Sequence, residues 1–254
     1  MTRILVTNDD GVQAEGIREL ARALSELPEA EVVVVAPDRE QSASGHSLTL
    51  HRPLRLREME AGWYAVDGTP TDAVNLAIHW LLRERPPELV VSGINRGLNL
   101  GADVTYSGTV SATFEACLLG LPSVAFSLED GEEASFPRAA EFARRFVATL
   151  LAAPLEPRML LNVNLPARAV NGVALARLGR RVYRQVVVEK EDPRGRRYFW
   201  IAGTPEWSDD EGTDHHALIH GLASVTPLHL DLTDYRALDR LGELTDRLRQ
   251  LFGS

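Results

Sequence analysis

Asn8, Asp9 and Asp10 stand in a row, closed by Gly11, directly after the short apolar run Ile4-Leu5-Val6. Such a run reads as a buried strand that stops abruptly at polar residues. In open α/β sheets ligands sit beyond the carboxyl ends of the strands, so these three residues occupy the place where a site forms. Two carboxylates about 4 Å apart repel by about 4 kcal/mol at an effective dielectric of about 20, so the pair calls for a proton or a cation. The competing reading has Asn8 or Asp9 capping a helix that begins near Val12, with the other carboxylate in solvent.

Two further strand ends offer oxygen donors. Ser42 lies in the polar loop Ala36 to Ser47, which is longer than a mere connection needs, and Asn95 follows the buried run Leu89 to Ser92. Hard cations such as Mg²⁺ or Mn²⁺ take oxygen ligands and keep room for water and phosphate oxygens. Zinc is not indicated, because Cys117 is the single cysteine and the His215-His216 pair has no spaced partner. Ser107-Gly108-Thr109, ahead of the helical stretch Val110 to Leu119, offers backbone N–H groups, two hydroxyls and the positive end of a helix dipole, which suits a phosphate. A plain Ser or Thr cap reads equally well at that point.

The elements that must position these residues alternate. Helical spacing of apolar residues spans Ala14 to Leu27, and Glu31 to Val35 is a valine run of the kind covered on both faces in a parallel sheet. Short strands are predicted over Leu54 to Arg57 and Trp63 to Val66. Gly68-Thr69-Pro70-Thr71-Asp72 predicts a helix start with Thr69 as N-cap and Pro70 in the first position. Strands at Ser123 to Ser127 and Leu160 to Asn164 flank a helix from Phe136 to Leu151. The fold class is therefore α/β: a Rossmann-like, doubly wound, mainly parallel sheet that looks complete before Pro166. Residues 1–166 read as the catalytic core and 167–254 as a C-terminal extension within one functional unit. In the extension, Tyr183 to Glu189 and Tyr198 to Ile201 predict a β-hairpin arm around Asp192-Pro193-Arg194-Gly195. Gly203 to His216 looks like a polar loop, Val225 to Leu228 a strand end, and Leu238, Leu241, Leu244, Leu248 and Leu251 one C-terminal helix.

The net charge of -9 argues against a nucleic-acid polymer as partner, since such binders neutralise phosphates with a basic surface. Lys190 is the only lysine, which excludes a Walker-type phosphate loop. No run approaches a membrane span and no signal-peptide pattern opens the chain, so the expectation is a cytoplasmic protein without a membrane partner. Cys117 falls in an apolar helical pattern and is expected to be buried.

Taken together, the motifs resemble the survival protein E (SurE) family of metal-dependent nucleotidases. The resemblance rests on Asn8-Asp9-Asp10-Gly11, Ala36-Pro37-Asp38-Arg39 leading to Ser42, Gly68-Thr69-Pro70-Thr71-Asp72, Val91-Ser92-Gly93-Ile94-Asn95, Asn99-Leu100-Gly101, Tyr106-Ser107-Gly108-Thr109-Val110, Asp192-Pro193-Arg194-Gly195 and Ser224 to Leu228. It implies hydrolysis of nucleoside monophosphates, with short polyphosphate as a further substrate. It also implies one divalent cation, Mg²⁺ or Mn²⁺, on Asp9, Asp10, Ser42 and Asn95, and phosphate contacts at Asn99, Ser107, Gly108 and Thr109. His46 stands between a phosphate contact and a plain loop residue. Asn8, Asp9 and Asp10 are the expected catalytic residues, acting through metal-assisted in-line attack of water; a covalent route through Asp9 ranks lower, because a cation would occupy its oxygens. A nucleotide-binding or sensor protein using the same loops without turnover is the alternative. The resemblance further implies a homo-oligomer, dimer or tetramer, built through the C-terminal arm.

Overall fold

The computed structural model describes residues 1–184, 187–201 and 204–252. Its centre is β1 (Thr2–Thr7), flanked in parallel by β2 (Ala30–Pro37) on one side and β5 (Leu89–Arg96) on the other. Beyond β2 lie β4 (Trp63–Val66), parallel, and β3 (Leu56–Glu60), antiparallel; beyond β5 lie β6 (Ser123–Leu128) and β7 (Leu160–Leu165), both parallel. The sheet does not end there. β13 (Ala223–Pro227) joins β7 antiparallel, and β8 (Val173–Leu175) joins β13, completing a nine-stranded sheet. The expectation that the sheet is complete before Pro166 is corrected: two strands of the extension belong to it. The strand end predicted at Val225 to Leu228 is β13, with Ser224 and Thr226 buried on either side of Val225; its pairing with β7, far earlier in the chain, is what the local pattern does not carry.

Burial on both faces explains the apolar runs. Ile4 and Val6 enter one cluster with Val34, Val91, Val124 and Phe126, while Leu5 enters a second with Val33, Val35 and Val90. Successive side chains of a strand point to opposite faces, so an unbroken run serves two cores at once. Helices α1 (Glu15–Ser25) and α4 (Phe136–Leu151) cover the first face; α2 (Pro70–Leu76) and α3 (Gly108–Leu118) cover the second. α2 begins as predicted: Thr69 accepts the Asp72 N–H at 3.1 Å and Asp72 accepts the Thr69 N–H at 2.9 Å, a closed capping box. Ala77–Leu81 then continues α2 as a π-helical turn. Cys117 is buried, with its thiol on the Arg158 carbonyl.

The extension forms a ribbon in two stages. β9 (Arg181–Arg184) pairs with β12 (Thr204–Trp207), and β10 (Val187–Glu191) pairs with β11 (Arg197–Ile201) around the predicted turn. Val186, within the predicted strand Tyr183 to Glu189, lies outside the described residues, as does Gly203. The stretch from Thr204 to His216 is not simply a loop: it holds β12 and the start of α5 (Asp214–Ile219). The C-terminal helix is also two pieces, α6 (Tyr235–Arg240) and α7 (Gly242–Phe252), interrupted at Leu241. Among the described residues no helix is long and apolar enough to cross a membrane.

Candidate functional site

β1 delivers Asn8 and Asp9 to the carboxyl edge of the sheet, and the helix that follows begins only at Glu15, with Ala14 as its N-cap. Neither Asn8 nor Asp9 caps it. Asn8 is wholly buried and closes the turn instead, donating from Nδ2 to the Gly11 carbonyl at 2.9 Å and accepting the Gly11 N–H at 3.2 Å. Both polar ends of Asn8 are thereby engaged, and the turn it makes presents Asp9 and Asp10 to a cavity of about 570 Å³. Ser42, Asn95, Asn99 and Ser107 line the same cavity, so three strand ends and one helix start meet there.

Asp9 has only 5% of its surface exposed. Burial pushes its carboxyl above the usual range, opposed by the Thr109 hydroxyl and by the N–H groups of Thr109 and Gly108, all donating to it. This differs from the sequence expectation of free N–H groups awaiting phosphate at Ser107-Gly108-Thr109. The anion that the start of α3 holds is the Asp9 carboxylate, and Thr109, fully buried, turns its hydroxyl onto Asp9. Gly108 is what permits the approach: a Cβ there would stand 2.6 Å from the Asp9 Cβ and 2.7 Å from Oδ2. Ser107 is the N-cap, accepting the Val110 N–H at 3.1 Å, and still has its own hydroxyl proton to donate into the cavity it lines.

Asp10 is less enclosed. Burial and the neighbouring Asp9 charge push its carboxyl up to about 6, against a hydrogen bond from the Arg96 backbone. A cation beside two adjacent carboxylates that each resist ionisation would offset their repulsion and favour their charged forms. Asn95 reaches the cavity because β5 bulges: Ser92 pairs with Ala125 and Asn95 with Ser127, one residue more on β5 than on β6. Gly93 makes the bulge feasible, with φ at +129° and a Cβ position only 2.4 Å from the Phe126 carbonyl. Asn95 donates from Nδ2 to the Gly97 carbonyl at 2.8 Å, which leaves its carbonyl oxygen as a ligand, and the Ser42 hydroxyl donates to Glu40 at 2.7 Å, keeping an oxygen lone pair. Two carboxylates, a hydroxyl and an amide carbonyl are an all-oxygen set, fitted to a hard divalent cation. Among the described residues no group of three or more His, Cys, Asp or Glu is arranged to hold a metal ion, so a zinc-type centre has no counterpart there.

His46 is not brought to the cavity. Its Nε2 meets Glu115 Oε2 at 2.7 Å, and its ring stands edge-on to Phe114. Glu115 also accepts from Asn75 at 2.5 Å; burial would raise its carboxyl, but the bonds from His46 and Asn75 outweigh burial and hold it low. The cluster fastens the Ser42 loop to α2 and α3. Sequence reasoning missed Glu115, because an isolated acid within an apolar helix gives no hint of partners 69 and 40 residues away. It also missed Asn162 and Asn164. Both are fully buried; Asn164 accepts the Asn99 N–H at 2.8 Å, and both amides donate to the Asn99 carbonyl at 2.8 and 3.0 Å. The alternation Asn162-Val163-Asn164 in an apolar strand was the available signal, since it sets two amides on one face. Asn99 in turn donates to Ser127 at 2.8 Å, one of the two hydrogens its amide carries.

Comparison with known proteins finds relatives over nearly the whole chain. The family model described as survival protein SurE matches residues 4–185. A 5'-nucleotidase SurE of Geobacter metallireducens is 53% identical over 244 residues, covering 94% of this chain and 96% of the relative. That of Geobacter sulfurreducens is 55% identical over 243 residues, covering 94% and 92%. Among solved structures, the SurE protein from Aquifex aeolicus superposes with a TM-score of 0.85 at 43% identity, covering 96% of this chain and 99% of that one.

Proposed function

The chain belongs to the survival protein SurE family, and we propose on that premise that it hydrolyses nucleoside monophosphates to nucleoside and phosphate at the cavity rimmed by Asp9, Asp10, Ser42, Asn95, Asn99 and Ser107. It is a metal-dependent nucleotide phosphomonoesterase, and a non-catalytic sensor is not favoured. The observation that carries the mechanism is the pair of adjacent acids, each resisting ionisation, that follows β1 and faces a cavity also lined by Ser42, Asn95, Asn99 and Ser107.

In this reading Asp9, Asp10, Ser42 and Asn95 hold one divalent cation, Mg²⁺ or Mn²⁺. When bound, the cation neutralises phosphate charge and favours attack by water in line with the leaving oxygen. Asn8 shapes the turn that aims the two carboxylates. Thr109 and Gly108 fix Asp9 from α3, so they serve the cation side more than the phosphate side. Ser107 and the second amide hydrogen of Asn99 are the donors for the phosphoryl oxygens, with Asn162 and Asn164 locking the Asn99 backbone. Preorganised donors of this kind stabilise developing charge without having to reorient. Short polyphosphate, with the same terminal group, fits as a further substrate. The core of 1–166 and the extension of 167–254 are proposed to act as one unit in a homodimer or homotetramer, in the cytoplasm.

The test is phosphate release from a panel of nucleoside monophosphates with Mn²⁺, with Mg²⁺ and after chelation. Turnover that disappears on chelation and returns with either ion is expected. Nucleotide binding without turnover under all these conditions would return the sensor reading.

A further inference from the structure

Asp214 is fully buried, and none of the catalytic roles above uses it. Its carboxylate gathers three segments: it accepts the Gly101 N–H at 2.8 Å, the Gly179 N–H at 2.8 Å and the His215 N–H at 2.8 Å. Gly101 opens the 3₁₀ turn Gly101–Thr105, Gly179 leads into β9 of the arm, and His215 is on α5. A second tie runs beside the first. Arg181, at the base of the arm, makes an ion pair with Asp103 in that same turn and lies over the Trp207 ring at 5.2 Å. Trp207 itself stacks on His215, with centroids 5.1 Å apart and planes at 9°.

The turn held in this way borders the catalytic cavity, through Asp103 and the exposed Tyr106 that follows it. The Asp103 carbonyl also accepts the N–H groups of Tyr106 and Ser107, at 3.0 and 3.2 Å, so the wall runs straight into the N-cap of α3. The start of α3 has an anchor of its own, because Gly108 and Thr109 bind Asp9. The wall from Asp103 to Tyr106 therefore takes its position from the arm base, and the cradle takes its position from β1.

We propose that the arm base is a specificity device: Arg181 and Asp214 are positioning residues that set the wall from Asp103 to Tyr106 against which the nucleoside part of a substrate rests. The inference rests on the nucleotidase reading. A nucleoside monophosphate needs that wall, whereas phenyl phosphate presents the same phosphate with a smaller leaving group and depends on it less. Binding energy from non-reacting parts of a substrate is lost when their contact surface moves.

The experiment measures kcat and KM of the full-length protein for AMP and for phenyl phosphate at one fixed Mn²⁺ concentration. It compares wild type with Arg181→Met, Arg181→Lys and Asp214→Asn, each checked for folding by circular dichroism. Arg181→Met should raise KM for AMP about tenfold while both constants for phenyl phosphate stay within about twofold, and Arg181→Lys should recover most of the loss. Asp214→Asn should act in the same direction; if it does not fold, the two Arg181 variants decide alone. Equal losses on both substrates, no change in KM for AMP, or failure of Arg181→Lys to recover would overturn the inference. A wild type inert towards AMP would overturn the nucleotidase reading, a result distinct from an active wild type whose variants are unchanged.

Discussion

The catalytic edge of the sheet and the C-terminal extension handle apolar residues in opposite ways. Around the edge, Ile4, Leu5, Val6, Val91 and Ile94 have no exposed surface, and the polar groups they carry forward are fixed by named partners. In the extension, Phe199 and Trp200 are each 60% exposed, Leu238 is 59% exposed and Leu251 is 77% exposed. One region closes on itself. The other displays more apolar surface than an isolated ribbon and two short helices can justify, and large exposed apolar patches mark interaction surfaces. The difference teaches that burial is unevenly shared: the edge tolerates repelling acids because the surrounding core is saturated, while the arm and the C-terminal helices leave large apolar side chains in solvent.

The sharpest way to break that comparison is to remove the acids. Asp9→Asn or Asp10→Asn should lower phosphate release by about a thousandfold or more without lowering the melting temperature of the metal-free protein. The sign follows from the raised carboxyls. Asp10 shifts from 3.8 to about 6 on folding, so its ionisation opposes folding and the metal-free protein loses stability as pH rises from about 4 to 6. Thermal scans across that window should show wild type losing stability relative to Asp10→Asn as pH rises, and divalent cation should reverse the difference. Because carboxyls held low elsewhere, such as Glu141, act in the opposite sense, the difference between the two profiles is what counts, and a wild type that gains on Asp10→Asn as pH rises would remove the cation site from the edge.

Next in size is a separation of two neighbours. Ser107→Ala should raise KM for AMP or lower kcat by roughly tenfold to a thousandfold, as for single donors in anion sites, with cation affinity unchanged. Thr109→Ala removes a hydroxyl that serves Asp9 and should weaken cation binding by about tenfold to a hundredfold, as when the partner of a ligand is lost. Calorimetric titration with Mn²⁺ beside the steady-state constants distinguishes the pair. Identical behaviour of the two variants would mean that the α3 start does not divide its work in this way.

The smallest effect concerns mass. If the extension needs a partner, light scattering should give at least twice the chain mass of 28.0 kDa at micromolar concentration, and deleting residues 181–201 should reduce it. A monomeric wild type, or a deletion that keeps its mass, would erase the contrast between the two regions.

What was legible in the sequence follows the same divide. Val32 to Val35 and Leu89 to Val91 announced buried parallel strands because a run with no polar break suits only a strand covered on both faces. Thr69 and Ser107 announced helix starts because capping is decided within four residues. Of the residues that line the cavity, Asp9, Asp10, Ser42 and Asn95 were read from strand-end loops, Ser107 from a helix start and Asn99 through the family resemblance. Pairings across long separations were not legible: Asp214 with Gly101, Glu115 with His46, and the addition of β13 beyond β7 each depend on which distant segment the fold delivers. Nor was the bond from the Thr109 hydroxyl to Asp9 legible, since it joins residues 100 positions apart.

The central place of β1 bears on how the chain emerges during synthesis. The first strand made needs β5 along one side, and β5 ends at Arg96. At typical ribosomal speeds of about 5–20 residues per second, that side of β1 waits on the order of ten seconds for its neighbour. Thr109, which secures Asp9, arrives later still. A nascent chain thus carries an unpaired strand edge next to two acids, and charge at an open edge discourages pairing with other chains. Asp9 and Asp10 stand at the end of that edge until β5 is synthesised.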